Sequence, residues 1–428
     1  MSFKSLLRSL GPGLITGASD DDPSSIGTFS QAGAKFGFGM LWTVLFTYPL
    51  MMVVQEICAR IGLLKGDGLA AVIGKKYSKK VVMPIICLLF VANVVNIGAD
   101  IGIMAASAKI IIPSPSPNIF SIIFAFFIII AILIIPYKRY VKILKYLTIS
   151  LFTYVATAII VGGDWYQILI SSLVPHIEFS ADFATMLVAI FGTSISPYLF
   201  FWQASEEAEE EVYQQKIKEI GKGKPKVSKN EIKSMRTDVA VGRVFAQFIT
   251  WAIMITAAGS LHAHGITDIQ SAEQAAKSLE PLVTAFPNAG EISKIVFALG
   301  IIGTGLLSIP ILAGSTAYAL SDAFGWKKGL SKKFGQAKAF YLIIVICGII
   351  GLSINILGIN PIKALVYTSV INGVVSVPIL FILMRLSNDK DILQNNTNGR
   401  VLNIVGWLTF IVMAVLTIIM FVTLGKQS

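Results

Sequence analysis

Apolar residues gather along this 428-residue chain into runs long enough for a helix to cross about 30 Å of hydrocarbon, centred near residues 18, 48, 96, 129, 154, 196, 250, 307, 350, 374 and 413. The pattern predicts eleven spans. The polar positions between them alternate in character. Arg60, Lys65, Lys75, Lys76, Lys79 and Lys80 follow the second run, whereas the link after the third holds only proline and serine around Pro113 to Pro117. Lys138, Arg139, Lys142 and Lys145 follow the fourth run, and Asp164, His176 and Glu178 the fifth. The alternation continues through a charged stretch at 206–236, a loop with His262, Asp268 and Glu280, then Lys327, Lys328, Lys332 and Lys333, a short turn at Asn360 and Pro361, and finally Arg385, Lys390 and Arg400. Because basic loops stay in the cytoplasm, the expected arrangement is a multi-pass protein of the plasma membrane, with its N-terminus cytoplasmic and its C-terminus outside.

Composition narrows this further. With 55% hydrophobic and 14% charged residues and a mean hydropathy of +0.75, lipid must be the main solvent. In lipid every backbone amide has to be satisfied internally, which excludes open sheets and leaves an all-α polytopic protein. The net charge of +11 sits in small clusters between apolar runs rather than along one face, so it speaks for topology and against nucleic acid. Cys58, Cys87 and Cys347 all lie in apolar segments and are expected as buried thiols, neither a disulfide framework nor a thiolate metal site. The first apolar stretch, after Lys4 and Arg8, is interrupted by Gly11-Pro12-Gly13 and by Asp20, Asp21 and Asp22. A cleavable signal peptide is not expected there, and the N-terminus is expected to be retained.

Two spans carry helix-breaking sequences at mid-depth: Gly17-Ala18-Ser19-Asp20-Asp21-Asp22-Pro23-Ser24-Ser25 in the first, and Gly192-Thr193-Ser194-Ile195-Ser196-Pro197 in the sixth. Proline removes a backbone donor and clashes with the preceding turn. Breaks five spans apart point to a LeuT-like 5+5 inverted repeat plus one extra helix, with substrate held where the breaks meet. The expected organisation is one transport domain over 1–425, with a first repeat at about 9–162, a second at about 181–386, an eleventh span at about 401–424 and a charged cytoplasmic loop at 206–236. A carboxylate at mid-depth is expensive and by default functional, which singles out Asp22. Asp20 and Asp21 must point elsewhere, toward a vestibule or a neighbouring helix, because successive helical residues diverge by about 100°.

The residues also resemble those of the Nramp family of divalent metal transporters, over roughly spans one to ten. The first span, from Gly11-Pro12-Gly13 through Asp22-Pro23-Ser24-Ser25 to Gln31-Ala32-Gly33-Ala34, is similar to that family's first helix with its Asp-Pro-Gly-Asn break. Leu41-Trp42 to Gln55-Glu56-Ile57-Cys58-Ala59-Arg60-Ile61-Gly62 and Phe297-Ala298-Leu299-Gly300 to Leu307-Ser308 are similar to its second and eighth helices. The resemblance implies a secondary transporter working by alternating access. It makes Asp22 the metal-binding aspartate, with the metal a substrate rather than a cofactor. Around Asp22 the pattern departs from the family's. The motif's asparagine is Ser25, the sixth helix's methionine is Ser196, its histidine is Tyr198, and the tenth helix's glutamine is Val370 with Asn372 nearby.

Without a thioether the set is all oxygen, which suits Mg²⁺, Ca²⁺ and Mn²⁺ over soft transition metals, and shorter side chains leave room for a partly hydrated ion. The pattern resembles Nramp-related magnesium and manganese transporters more than the proton-coupled iron and manganese members. A LeuT-like carrier of an organic solute and a proton-coupled Mn²⁺/Fe²⁺ transporter stay open as alternatives.

Ser19 and Thr193 are expected to offer backbone carbonyls where the helices unwind. Asp100 is either a proton relay or a helix–helix hydrogen bond. Tyrosine at 198 exchanges protons far less readily near neutral pH than histidine, so proton coupling is expected to be weak. Glu56 is expected to pair with Arg60 at i,i+4 spacing, as an intrahelical pair or gate. Glu206, Glu207, Glu209, Glu210 and Glu211 read as a solvated helix end or an ion vestibule, and His262 and His264 as a weak metal-like pair. All three histidines fall in outer loops, so no nucleophile–base or metal triad is formed and the chain is not read as an enzyme. Divalent cations and the bilayer are the expected partners, with a monomer as the expected state.

Overall fold

A computed structural model describes residues 12–114, 116–135, 151–284, 288–356 and 358–425; Lys4, Arg8, Lys138, Arg139, Lys142 and Lys145 lie outside the described residues. The first expected span is two helices, α1 (Pro12–Asp20) and α2 (Pro23–Phe36). Then come α3 (Trp42–Lys65), the short α4 (Leu69–Lys76), α5 (Lys79–Ile111), α6 (Pro117–Ile134), α7 (Phe152–Val161) and α8 (Trp165–Leu173). The sixth expected span is again two helices, α9 (Ala181–Ser194) and α10 (Pro197–Tyr213). The chain ends with α11 (Lys229–Ser260), α12 (Ala289–Phe324), α13 (Lys338–Ile356), α14 (Pro361–Ser387) and α15 (Arg400–Gly425).

Each break falls where proline forbids continuation: Pro23 and Pro197 take the first position of the second half-helix, where a missing N–H costs nothing. Elsewhere the ends carry local stop and start signals, such as Gly66 and Gly325 in the left-handed region after α3 and α12 and a reciprocal Ser228–Glu231 capping box opening α11. Among the described residues nine helices, with α9 and α10 taken together, are long and apolar enough to cross a membrane. The first expected span is not among them, because Asp20, Asp21 and Asp22 make its middle too charged. The fifth is described only from residue 151 onward, as the short apolar helix α7.

Packing repeats with a five-span offset. The first span packs on α11 as α10 packs on α3, α5 packs on α6 as α12 packs on α13, and α5 and α12 pack on each other. The apolar residues left outside that core, such as Phe126 and Phe127 on α6 and Ile411 and Ile418 on α15, form outward faces suited to lipid. Cys58 and Cys347 are buried, but Cys87 is exposed. The expectation of three buried thiols fails there because Cys87 shares the outward face of α5 with Leu88 and Val91.

The charged segment 206–236 is a loop only over 214–228, because its first part completes α10 and its last part opens α11. The glutamates are accordingly not a solvated end. Glu206, Glu207 and Glu211 are buried, Glu209 accepts from Tyr318 Oη at 2.6 Å and from the Leu330 amide at 2.7 Å, and Glu211 pairs with Lys216 at 3.0 Å. This end of the molecule is tied together by paired charges. Lys328 bridges Asp67, at 2.9 Å, and Asp322, while Lys75 also reaches Asp67 at 2.9 Å. Burial opposes the charge on Asp67, yet Lys328 and Lys75 outweigh it and hold the carboxyl below the usual carboxylate range. Hydrogen bonds from Lys222 and Lys332 hold Glu219 down at about 2.

Candidate cation site

α1 stops at Asp20, and the chain bends at Asp21 before Pro23 restarts the helix. Asp22 is the N-cap of α2, with φ −70° and ψ 169°. Its Oδ1 accepts from the Ser25 amide and from Ser24 Oγ, both at 2.7 Å, which satisfies orphan donors at the positive end of α2. Oδ2 is left facing the gap. Asn96 Nδ2 of α5 approaches it at 3.3 Å, and Tyr198 Oη of α10 lies 3.5 Å from it and 3.3 Å from the Ser19 carbonyl. One hydroxyl proton serves only one of those acceptors at a time. The gap between the half-helices is therefore lined by a carboxylate oxygen, a carbonyl oxygen at the negative end of α1 and a phenol oxygen, with Asp22 2% exposed. Three oxygens converging without sulfur form a hard-cation donor set.

The sixth-span break is organised differently. Ser196 Oγ donates to the Gly192 and Thr193 carbonyls at 2.9 and 2.7 Å. Ser196 and Thr193 are thus brought together with each other rather than with Asp22: the C-terminal carbonyls of α9 need donors, and the nearest hydroxyl supplies them. A Cβ on Gly192 would stand 2.1 Å from the Ser369 carbonyl oxygen, so this break is wedged directly against α14. Asn372 lies on that helix, buried, its Oδ1 without a hydrogen-bond partner; Val370 there is half-buried.

The other acidic candidates each find a partner of their own. Asp20 forms an ion pair with Arg243 of α11 at 2.7 Å, both groups buried. Asp21 accepts from Thr250 Oγ1 at 3.2 Å. Asp100 accepts from Ser308 Oγ of α12 at 3.1 Å, a bond between two helices. Glu56 does not pair with Arg60: it takes Arg236 Nε at 2.7 Å, while Arg60 donates to Asn398. The helical spacing allowed the local pair, but α11 packs across α3 and brings in a nearer guanidinium. His262 and His264 each turn to a backbone carbonyl, of Ala34 at 2.8 Å and of Ser260 at 2.5 Å. Among the described residues no three His, Cys, Asp or Glu side chains gather to hold a metal ion, so the candidate site is one carboxylate among uncharged polar groups.

Sequence reasoning passed over Arg243, Thr250 and Ser24. Arg243 carried a signal: a lone charge inside an apolar span marks a functional or paired group.

Comparison with known proteins identifies the fold and the family. The chain is 22% identical to the divalent metal cation transporter MntH of Pectobacterium carotovorum subsp. carotovorum (strain PC1), over 100% of this chain and 96% of that protein. Its fold matches the manganese transporter of Eremococcus coleocola with a TM-score of 0.75 at 16% identity, covering 100% of this chain and 88% of that one. MhsT, solved in complex with L-phenylalanine, matches at 0.62 and 13% identity, over 96% and 98% of the two chains. The architecture is therefore the LeuT-like one that the paired breaks implied. The family profile described as natural resistance-associated macrophage protein-like matches residues 13–423, nearly the whole chain, and the chain belongs to the Nramp family.

Proposed function

We propose that this divalent metal cation transporter favours Mg²⁺ and Mn²⁺, held at the break of the first span by Asp22, the Ser19 carbonyl and Tyr198. One observation carries the reading: Asp22 spends Oδ1 on its own helix, leaving Oδ2 among uncharged groups, the Asn96 amide and the Tyr198 hydroxyl, with the Ser19 carbonyl on the far side of that hydroxyl. Such a set matches cations that keep part of their water. Ser25 and Ser196, short where the family carries longer side chains, leave room for that water; Thr193 and Asn372 border the site from the sixth and tenth spans.

Asp100 is committed to Ser308, and Tyr198 replaces a titrating histidine, so cargo entry runs on the ion gradient and the membrane potential rather than on protons. The potential alone supplies about 2.3 kcal/mol per charge per 100 mV, and about twice that for a divalent ion. In our reading the chain works as a monomer in the plasma membrane, N-terminus in the cytoplasm and C-terminus outside.

Proteoliposome uptake of Mg²⁺, Mn²⁺, Ca²⁺, Fe²⁺ and Cd²⁺, with an internal pH dye, tests the proposal. Mg²⁺ and Mn²⁺ should enter with little acidification, and Asp22→Ala should abolish entry while still inserting. Wild-type-like uptake by the inserted mutant would remove Asp22 from the site, and metal-dependent acidification lost in Asp100→Asn would restore a proton relay.

A further inference from the structure

On the side of the first break where α1 begins and α10 ends, a continuous row of buried polar side chains leaves the site. Arg243 Nη1 donates to Asp20 Oδ2 at 2.7 Å and Arg243 Nε donates to Gln55 Oε1. Gln55 Nε2 donates to Gln203 Oε1 at 3.1 Å, and Gln203 Nε2 to Glu207 Oε1 at 2.9 Å. Asp20, Gln55, Gln203, Glu207 and Arg243 come from α1, α3, α10 and α11, and none is more than 4% exposed. A row of this kind in an apolar surrounding is costly and marks an ion path.

Three details give the row a sign. It starts and ends on carboxylates, both glutamine oxygens face back toward Arg243, and the only cation in it is the guanidinium. The guanidinium is also incompletely held. Arg243 Nη2 and Asp20 Oδ1 are buried without hydrogen-bond partners, so the carboxylate that opens the row keeps one oxygen unused. Removing the guanidinium alone would strand a buried carboxylate, but exchanging one cation for another would not.

We propose that Asp20, Gln55, Gln203 and Glu207 form a second divalent-cation station between the Asp22 site and the face where α10 ends, filled here by Arg243 as a tethered cation. The station deepens the cargo reading above and rests on it. An ion leaving Asp22 displaces the guanidinium from Asp20, meets the two amide oxygens and passes to Glu207. Arg243 then returns to Asp20 and keeps a second ion from following while the path is closed.

Counting Mn²⁺ bound by the purified full-length protein, by calorimetry with Mn²⁺ alone, tests this. The wild type should bind one ion. Arg243→Gln should bind two, Arg243→Lys should return to one, and Asp20→Asn combined with Arg243→Gln should also return to one. Arg243→Gln combined with Asp22→Ala should keep one. A folded Arg243→Gln protein that binds a single ion overturns the station, whereas a wild type that binds none overturns the cargo reading instead. If Arg243→Gln does not fold, Glu207→Gln decides: the turnover of Mn²⁺ uptake should fall roughly tenfold with KM within about twofold, and an unchanged turnover overturns the proposal.

Discussion

The two broken spans are built alike and equipped differently. In both, an extended N-cap precedes a proline that opens the second half-helix. At the first break three consecutive carboxylates are distributed to partners on other helices: Asp20 to Arg243, Asp21 to Thr250, and Asp22 to Asn96 and Tyr198. At the sixth, Ser196 closes the break onto its own chain, and the one side chain sent across is Tyr198. Identical backbone interruptions therefore need not carry equal chemistry. One break supplies charge, and the other supplies shape and a single hydroxyl.

The largest effect should come from testing what the breaks share. A Cβ on Gly17 would lie 2.4 Å from the Gly242 carbonyl oxygen, and one on Gly192 would lie 2.1 Å from that of Ser369; both are closer than real contacts allow. Gly17→Ala and Gly192→Ala should each cost about 1–3 kcal/mol, seen as a lower Tm in detergent. If only one of them destabilises the fold, the two breaks are not equivalently packed.

A substitution at the sixth break sharpens the chemical difference. Ser196→Met removes a hydroxyl now donating to its own helix and introduces a soft ligand. Competition uptake should shift the Cd²⁺ to Mg²⁺ ratio roughly tenfold toward Cd²⁺, worth about 1.4 kcal/mol. A ratio that stays put means position 196 faces away from the ion.

The smallest effect belongs to a third region, where charges are plentiful but paired. Asp67 is held below its unfolded value by Lys328 and Lys75. Its contribution is therefore present above the unfolded pKa of about 3.9 and is lost as pH falls through the lower folded value. A Tm profile should stay flat for this group down to about pH 4 and drop below it, by about 1 kcal/mol or less. Asp67→Asn should be less stable at neutral pH and should lack that step.

Much of this was legible in the one-dimensional pattern. The breaks could be read because proline and glycine act locally, and Asp22 because its cost at mid-depth is a property of the residue type. What the sequence did not disclose was which partner each polar group finds. Glu56 offered Arg60 one turn away and took Arg236, 180 residues on. The glutamate run resembled a solvated end because its charge density is high, but α10 continues as a helix and buries one side of the run against α3 and α12. Ser196 was assigned an ion-facing role from its alignment with a ligand, whereas its hydroxyl lies within reach of two carbonyls of its own chain.

The distribution of thiols has a practical consequence. Cys58 and Cys347 are enclosed by protein, and Cys87 opens onto an apolar outward face. Water-soluble maleimides need a hydrated thiolate, so the native chain is close to a silent background for labelling. A cysteine introduced at an exposed loop position such as Lys224 or Glu273 can be followed without first removing the natural ones, and Cys87 itself is available to a lipid-soluble spin label as a fixed reference on the outer surface of α5.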